Sequence, residues 1–196
     1  MPGGYRFKAD APLLNYTLGG NSMVEKEYGP LRSRATRKPW PECPDIVIYR
    51  CNLCGRLYHG LDYEMPAHEP ACCDANMERL KTLLLEDVSP QIQVDYQIVG
   101  GHNQNAVQVF WETKQLGDIP QWVLLKTFTG SYIRYVTPKK KPPMVFPLAD
   151  EDAYVYCDED VCLQCVFRCK RGFVIYAYFK TRGLVEVPLE KMSARY

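Results

Sequence analysis

Eight of the nine cysteines in this chain fall into two groups of four, and their spacing is that of metal ligands rather than of disulfide staples. Cys51 and Cys54 stand at i and i+3, and Gly55 follows where the backbone must turn to point its N–H groups back at sulfur. Cys72 and Cys73 are adjacent. A regular strand would send them to opposite faces, so a turn there must aim both at one ion. Four thiolates from two short segments make a tetrahedral all-sulfur site, and soft ligands in that geometry select iron or zinc. Disulfides or buried free thiols are the competing reading. Cysteine pairs in a reduced compartment point instead to metal or redox chemistry. His59 and His68 lie between the two pairs. With four cysteines already at hand they read as surface groups or as imidazole donors to sulfur.

The second group is Cys157, Cys162, Cys165 and Cys169, a C-x4-C-x2-C-x3-C run within 13 residues. It is too compact for a useful disulfide framework and could wrap a metal from one hairpin tip. Its spacing overlaps iron–sulfur ligand patterns without matching one in full, so an iron–sulfur cluster and a mononuclear zinc or iron both stay open. Cys43 stands apart.

The elements that must position these groups are mostly strands. Ile46 to Tyr49 leads into the first knuckle. Ile92, Val94, Tyr96 and Ile98 share one parity, Val107 and Val109 alternate with Gln108 and Phe110, and Gly100-Gly101-His102-Asn103 supplies the turn between them. Trp122 to Leu125 is a short buried run, and Tyr132, Arg134 and Val136 alternate with Ile133 and Tyr135. Residues 137–143 carry three prolines and three lysines and form a loop, since proline cannot donate to a ladder. Ala153 to Tyr156 and Phe173 to Phe179 are expected as strands flanking the second cysteine group. Residues 1–42 form an irregular N-terminal arm, broken by Gly-Gly and Gly-Pro pairs, with Arg32, Arg34, Arg37 and Lys38 near its end. This gives three parts: the arm, a four-cysteine module over 43–80, and a β-domain over 81–196.

The formal net charge of +1 offers no global argument for nucleic acid or an anionic membrane, and the arm lacks aromatics interleaved for groove reading. No apolar run approaches the roughly 20 residues that span a bilayer, and no leader pattern opens the chain, so a soluble cytoplasmic protein is expected. No Ser/His/Asp set, phosphate-binding glycine loop or paired-carboxylate motif competes with the cysteines. The arm reads as a solvated segment lying over the folded body or a partner, and its sharper reading is a docking segment for an acidic redox partner protein, a larger complex or a second copy.

Residues 48–55 with Cys72-Cys73-Asp74-Ala75-Asn76-Met77 resemble the desulforedoxin-like module of desulfoferrodoxins. Gly100-Gly101, Asn105-Ala106-Val107, Ile119 to Trp122, Tyr135 with Pro138, and Tyr178 with Gly183-Leu184 are similar to the β-sandwich domain of superoxide reductases. The resemblance covers roughly residues 46–190. It implies a mainly β fold, the small four-cysteine module being followed by an immunoglobulin-like antiparallel sandwich. It also implies a single iron held by Cys51, Cys54, Cys72 and Cys73. The family's Cys-Cys-Gly is Cys72-Cys73-Asp74 here, and the loop before it is slightly longer.

The departures bear on function. The family's catalytic iron needs four histidines and one axial cysteine, and this chain has three histidines in all, two of them in the cysteine module. The positions that match the family's ligands and their neighbours carry Val88, Glu112, Asp118, Phe179 and Arg182. The resemblance therefore implies a former iron pocket whose ligands were lost together, with Arg182 bonded to Glu112 or Asp118 in place of the cation. The functional expectation is an iron-binding protein for one-electron transfer or redox sensing, without superoxide-reducing ligands. A zinc-stabilised structural or interaction subunit is the alternative, and a superoxide reductase with altered ligands is a third reading.

Overall fold

The computed structural model describes residues 44–62, 69–88, 91–101, 104–114, 117–154, 169–190 and 193. In chain order the strands are β1 (Asp45–Arg50), β2 (Leu57–Asp62), β3 (Ala71–Cys72), β4 (Ala75–Asn76), β5 (Glu78–Arg79) and β6 (Thr82–Leu84). A helical turn α1 (Leu85–Val88) follows, then β7 (Ile92–Gly101), β8 (Gln104–Thr113), β9 (Trp122–Lys126), β10 (Ser131–Tyr135) and β11 (Met144–Leu148). A 3-10 turn over Asp150–Ala153 precedes β12 (Val174–Phe179) and β13 (Gly183–Pro188). The fold is mainly β, and the described strands pair antiparallel apart from one parallel pair, β6 with β13.

Two sheets make the sandwich. One has the order β10-β9-β12-β13-β6 and the other β11-β8-β7. Strand parity decides what they bury. Ile92, Val94, Tyr96 and Ile98 of β7 and Val107, Val109 and Trp111 of β8 turn inward. They meet Val123, Leu125, Ile175, Ala177, Phe179, Val185 and Val187 from the facing sheet. The long β7–β8 hairpin keeps a ten-pair register from Ile92↔Thr113 to Gly101↔Gln104.

The five-stranded sheet is buried on its other face as well. Trp122, Leu124, Tyr176, Tyr178 and Leu184 point away from the sandwich core and form a second cluster with Ile48. Trp122 stacks on its cross-strand neighbour Tyr178 with ring centroids 5.2 Å apart. A small sheet of order β2-β1-β5 lies over this face, contributing Ile46, Ile48 and Leu57. All five residues of β9 are buried, as expected of a strand covered on both sides. Lys126 ends β9 and reaches the Asp45 carboxylate at the start of β1, which ties the two layers together.

β1 therefore has two apolar faces. Ile46 and Ile48 turn to the sandwich, while Val47, Tyr49 and Cys51 turn the other way and pack with Met77 and Cys72. The strand expected from Ala153 to Tyr156 is corrected at its start. Ala153 closes the 3-10 turn, and Tyr154 N–H donates to the Glu151 carbonyl as its cap. The local sequence Asp150-Glu151-Asp152 favours turn hydrogen bonds over a ladder. Val155 and Tyr156 lie outside the described residues. No described helix is long and apolar enough to cross a membrane.

Candidate metal centre

The first knuckle is built by the β1–β2 hairpin. Cys51 N–H donates to the Arg56 carbonyl at 2.8 Å, and Gly55 N–H donates to the Cys51 carbonyl at 2.8 Å. Gly55 sits at φ +73°, a left-handed conformation that a side chain would strain. The loop is thereby closed tightly enough to bring Cys54 back beside Cys51.

The second pair comes from the shortest hairpin among the described residues. β3 and β4 pair as Ala71↔Asn76 and Cys72↔Ala75, which leaves Cys73 and Asp74 as a two-residue turn. Both have positive φ, 52° and 57°, the requirement of a type I′ connection. Cys72 projects from the strand end and Cys73 from the turn, so adjacent residues present sulfur to the same point. Asp tolerates this region, but cysteine has no local hydrogen bond to offset it. Met77 then bonds back to the Pro70 carbonyl, and β5 adds to β1 through Tyr49↔Arg79 and Arg50↔Glu78. That pairing, with Asn52 Nδ2 donating to Glu78 Oε2 at 3.0 Å, sets the hairpin against the knuckle.

The four Sγ atoms of Cys51, Cys54, Cys72 and Cys73 lie within 4.8 Å of one another. Cys54 and Cys72 are 3.6 Å apart, and Cys72 and Cys73 are 3.8 Å apart. A regular tetrahedron with metal–sulfur bonds of about 2.3 Å has edges of about 3.8 Å. The donor set and its spacing fit one tetrahedral ion. Cys51 is buried and Cys54 and Cys73 are exposed, so the site is anchored on one side and open to solvent on the other.

The thiol acidities carry the same message. The Cys54 amide, and behind it the Leu53 amide, stabilise the Cys51 thiolate and lower its pKa to about 7 against the opposing effect of burial. Cys72 is pushed up to about 12, first by its bond with Cys54 and then by desolvation, and Cys73 is also raised, first by Cys54. Four sulfurs at contact cannot all carry negative charge without a cation among them. Cys51, Cys54, Cys72 and Cys73 could hold an ion, which would supply that charge and favour their thiolate forms.

His59 pairs with Ile48 in register, which puts it on the sandwich-facing parity of the small sheet rather than on the face of Cys51. His68 lies outside the described residues. Of the second cysteine group only Cys169 is described; Cys157, Cys162 and Cys165 lie outside, as does Cys43. What is visible is the closure of that segment. Lys170, buried, donates from Nζ to the carbonyls of Asp152 at 2.8 Å and Tyr154 at 2.7 Å. The residue after the group is thus joined to the residue before residues 155–168.

The residues that the resemblance matches to the family's iron ligands and their neighbours go to different places. Val88 packs at the edge of the sandwich core, Phe179 is wholly inside it, and Glu112 is exposed on the outward parity of β8 opposite Gln93. Asp118 and Arg182 do meet. Arg182 Nε lies 3.6 Å from Asp118 Oδ2, and the Asp118 side chain is only 4% exposed. Thr181 donates to Asp118 Oδ1 at 2.6 Å. Sequence reasoning missed Thr181 as a partner; its signal was a hydroxyl beside Arg182 in the turn opposite a carboxylate. Lys126, Asp152 and Lys170 were also missed as buried polar groups.

No family model and no curated protein matches the sequence. Among solved structures, the chain is similar to the superoxide reductase from Treponema pallidum, with a TM-score of 0.45 and 10% sequence identity. The match covers 74% of this chain and 98% of that one.

Proposed function

We propose that Cys51, Cys54, Cys72 and Cys73 hold a single iron and that the protein is a one-electron carrier or redox sensor of the desulfoferrodoxin type. The observation that supports this reading most is the convergence of four sulfurs at tetrahedral edge distances, with two of the four exposed. A four-thiolate iron keeps nearly the same ligand set in both oxidation states, so little reorganisation opposes transfer. Backbone N–H groups aimed at Cys51 tune such a centre, and the open side gives a partner short access to it. Three histidines cannot supply the four of a superoxide-reducing site, so that activity is taken as lost, and the Asp118–Arg182 ion pair is read as the replacement for part of it. Cys157, Cys162, Cys165 and Cys169 are proposed as a second centre, an iron–sulfur cluster or a zinc or iron. A cytoplasmic location and a redox partner protein docked through residues 1–42 belong to the same proposal.

One observation favours a zinc-stabilised structural role instead. β3, β4 and β5 are two residues long each, too short to hold themselves together without a cross-link. Visible absorption with elemental analysis of anaerobically purified protein decides between them. Sulfur-to-iron charge-transfer bands that Cys72→Ser removes support the carrier. One zinc per module and no visible bands would replace it with the structural role. Fast, metal-dependent superoxide reduction by pure protein would overturn the claim of lost activity.

A further inference from the structure

Of the four outer edges of the two sandwich sheets, three are guarded and one is not. A free edge exposes unpaired N–H and C=O groups, and proteins blunt it with proline, charge, shortness or cover. β11 carries Pro147, and β6 has only three residues and runs straight into α1. β7 holds Asp95 and is bridged by Ser193 at Gln97. β10 has none of these devices. It forms the end of the five-stranded sheet, pairs only with β9 among the described strands, and all five of its residues are exposed.

Its side chains sharpen the point. Arg134, the one charged residue, is turned back into the body, where it donates to the Val145 carbonyl and lies 5.9 Å from the Phe146 ring centroid. Tyr132 shares the parity of Arg134, opposite Leu125, and burial followed by the Asp152 charge raises its pKa. The strand is thus fixed to the sandwich, while Ile133 and Tyr135 on the other parity stand 38% and 76% exposed. Immediately beyond Tyr135, a turn closed by Lys140 N–H on the Thr137 carbonyl presents Lys139, Lys140 and Lys141, all exposed. The nearby acids, Asp150 and Glu151, belong to the other end of β10, because Asp152 of the same 3-10 turn accepts from Thr129 just before the strand.

We infer that β10 is a docking edge for an extended, acidic polypeptide segment of a partner protein. The segment adds a strand beside β10 and sets an apolar side chain on Ile133 and Tyr135. Its carboxylates meet Lys139, Lys140 and Lys141. The main chain gives the pairing, and the lysines at one end set both the sign of the partner's charge and the end of the strand where it lies. This surface belongs to the sandwich and does not depend on which metal the cysteines hold.

The test uses the full chain and a blocked peptide of three glutamates followed by Val-Thr-Val-Thr-Val, with a second peptide carrying three lysines instead. Amide hydrogen exchange is followed residue by residue. The glutamate peptide is expected to slow exchange within 131–135 at least ten-fold at saturation and to leave β7 unchanged. The combined variant Lys139→Glu, Lys140→Glu, Lys141→Glu should weaken its binding at least ten-fold and reverse the preference to the lysine peptide. Tyr135→Ala, at an exposed position that the fold does not need, should weaken it at least three-fold. Three outcomes overturn the inference: no protection of 131–135, equal protection by both peptides, or protection that grows with protein concentration alone, which would make the occupant a second copy.

Discussion

The Cys73-Asp74 turn allows a test in which the sign of the effect changes with metal. Both residues sit at positive φ. A left-handed conformation costs an ordinary side chain about 1–2 kcal/mol, and asparagine much less. In metal-free protein, Cys73→Asn should therefore stabilise the β3–β4 hairpin, by about 1 kcal/mol. With metal bound, the same change removes one of four thiolates. Apparent binding energies of structural four-ligand zinc sites are about 10–16 kcal/mol, so a quarter of that is a loss of about 3 kcal/mol or more. Asp74→Gly relieves the neighbouring turn position without touching a ligand, and should stabilise both forms by less than about 1 kcal/mol. The assay is amide exchange at Ala75 and Asn76 with and without stoichiometric zinc, alongside zinc affinity by chelator competition. Zinc affinity should fall at least a hundred-fold in Cys73→Asn and hold within a few-fold in Asp74→Gly. Destabilisation of the metal-free hairpin by Cys73→Asn, or unaltered zinc affinity, would refute the idea that this turn is strained in order to place a ligand.

Other consequences can be checked in the same preparations. In metal-free protein Cys51 titrates at about 7 against 9.0 when unfolded, so between those values the unfolded chain binds more protons and stability rises with pH. Cys72, at about 12, and Cys73, also raised, reverse the slope from about pH 9 upward. Hairpin exchange should thus show greatest protection a little below pH 9, and this dependence should vanish once metal is bound. Lys170→Met leaves the buried carbonyls of Asp152 and Tyr154 without their donor, and should cost about 2–4 kcal/mol in urea unfolding. Asp118→Ala leaves Thr181 without its acceptor and Arg182 without its counter-ion. Because Arg182 is 34% exposed, the loss should be about 1–2 kcal/mol, with no change in metal content. Gly172→Ala combines φ +95° with a Cβ placed 2.9 Å from the Phe128 ring, and should lower the urea midpoint clearly.

Much of the architecture was legible because it rests on strand periodicity. Ile92 to Ile98 alternate in sequence and alternate in burial, and the cysteine spacing implied the turn that Cys73 and Asp74 supply. What could not be read is what depends on a third layer. Ile46 and Ile48 look no different from Val47 and Tyr49 in sequence, yet one pair covers the sandwich and the other the metal side. The buried run at β9 implied cover on both faces but not its source. Lys126 and Lys170 were unreadable for another reason. Buried lysine is rare, and each is accounted for by a partner distant in the chain, Asp45 for one and two carbonyls for the other. β10 shows the converse, an alternating strand whose residues are exposed on both parities because nothing described packs over the sheet edge.

The double-sided β1 has a practical consequence for taking the protein apart. A fragment beginning at Lys81 would retain every strand of the sandwich, yet it would leave Trp122, Leu124, Tyr176, Tyr178 and Leu184 as a bare apolar wall. A fragment ending at Leu80 would leave Ile46, Ile48 and Leu57 without anything to cover. Neither half offers a soluble surface along the cut. Expression of the cysteine module or the sandwich alone should yield aggregates. Limited proteolysis should find no stable product that separates them, whatever the two parts look like as modules on paper.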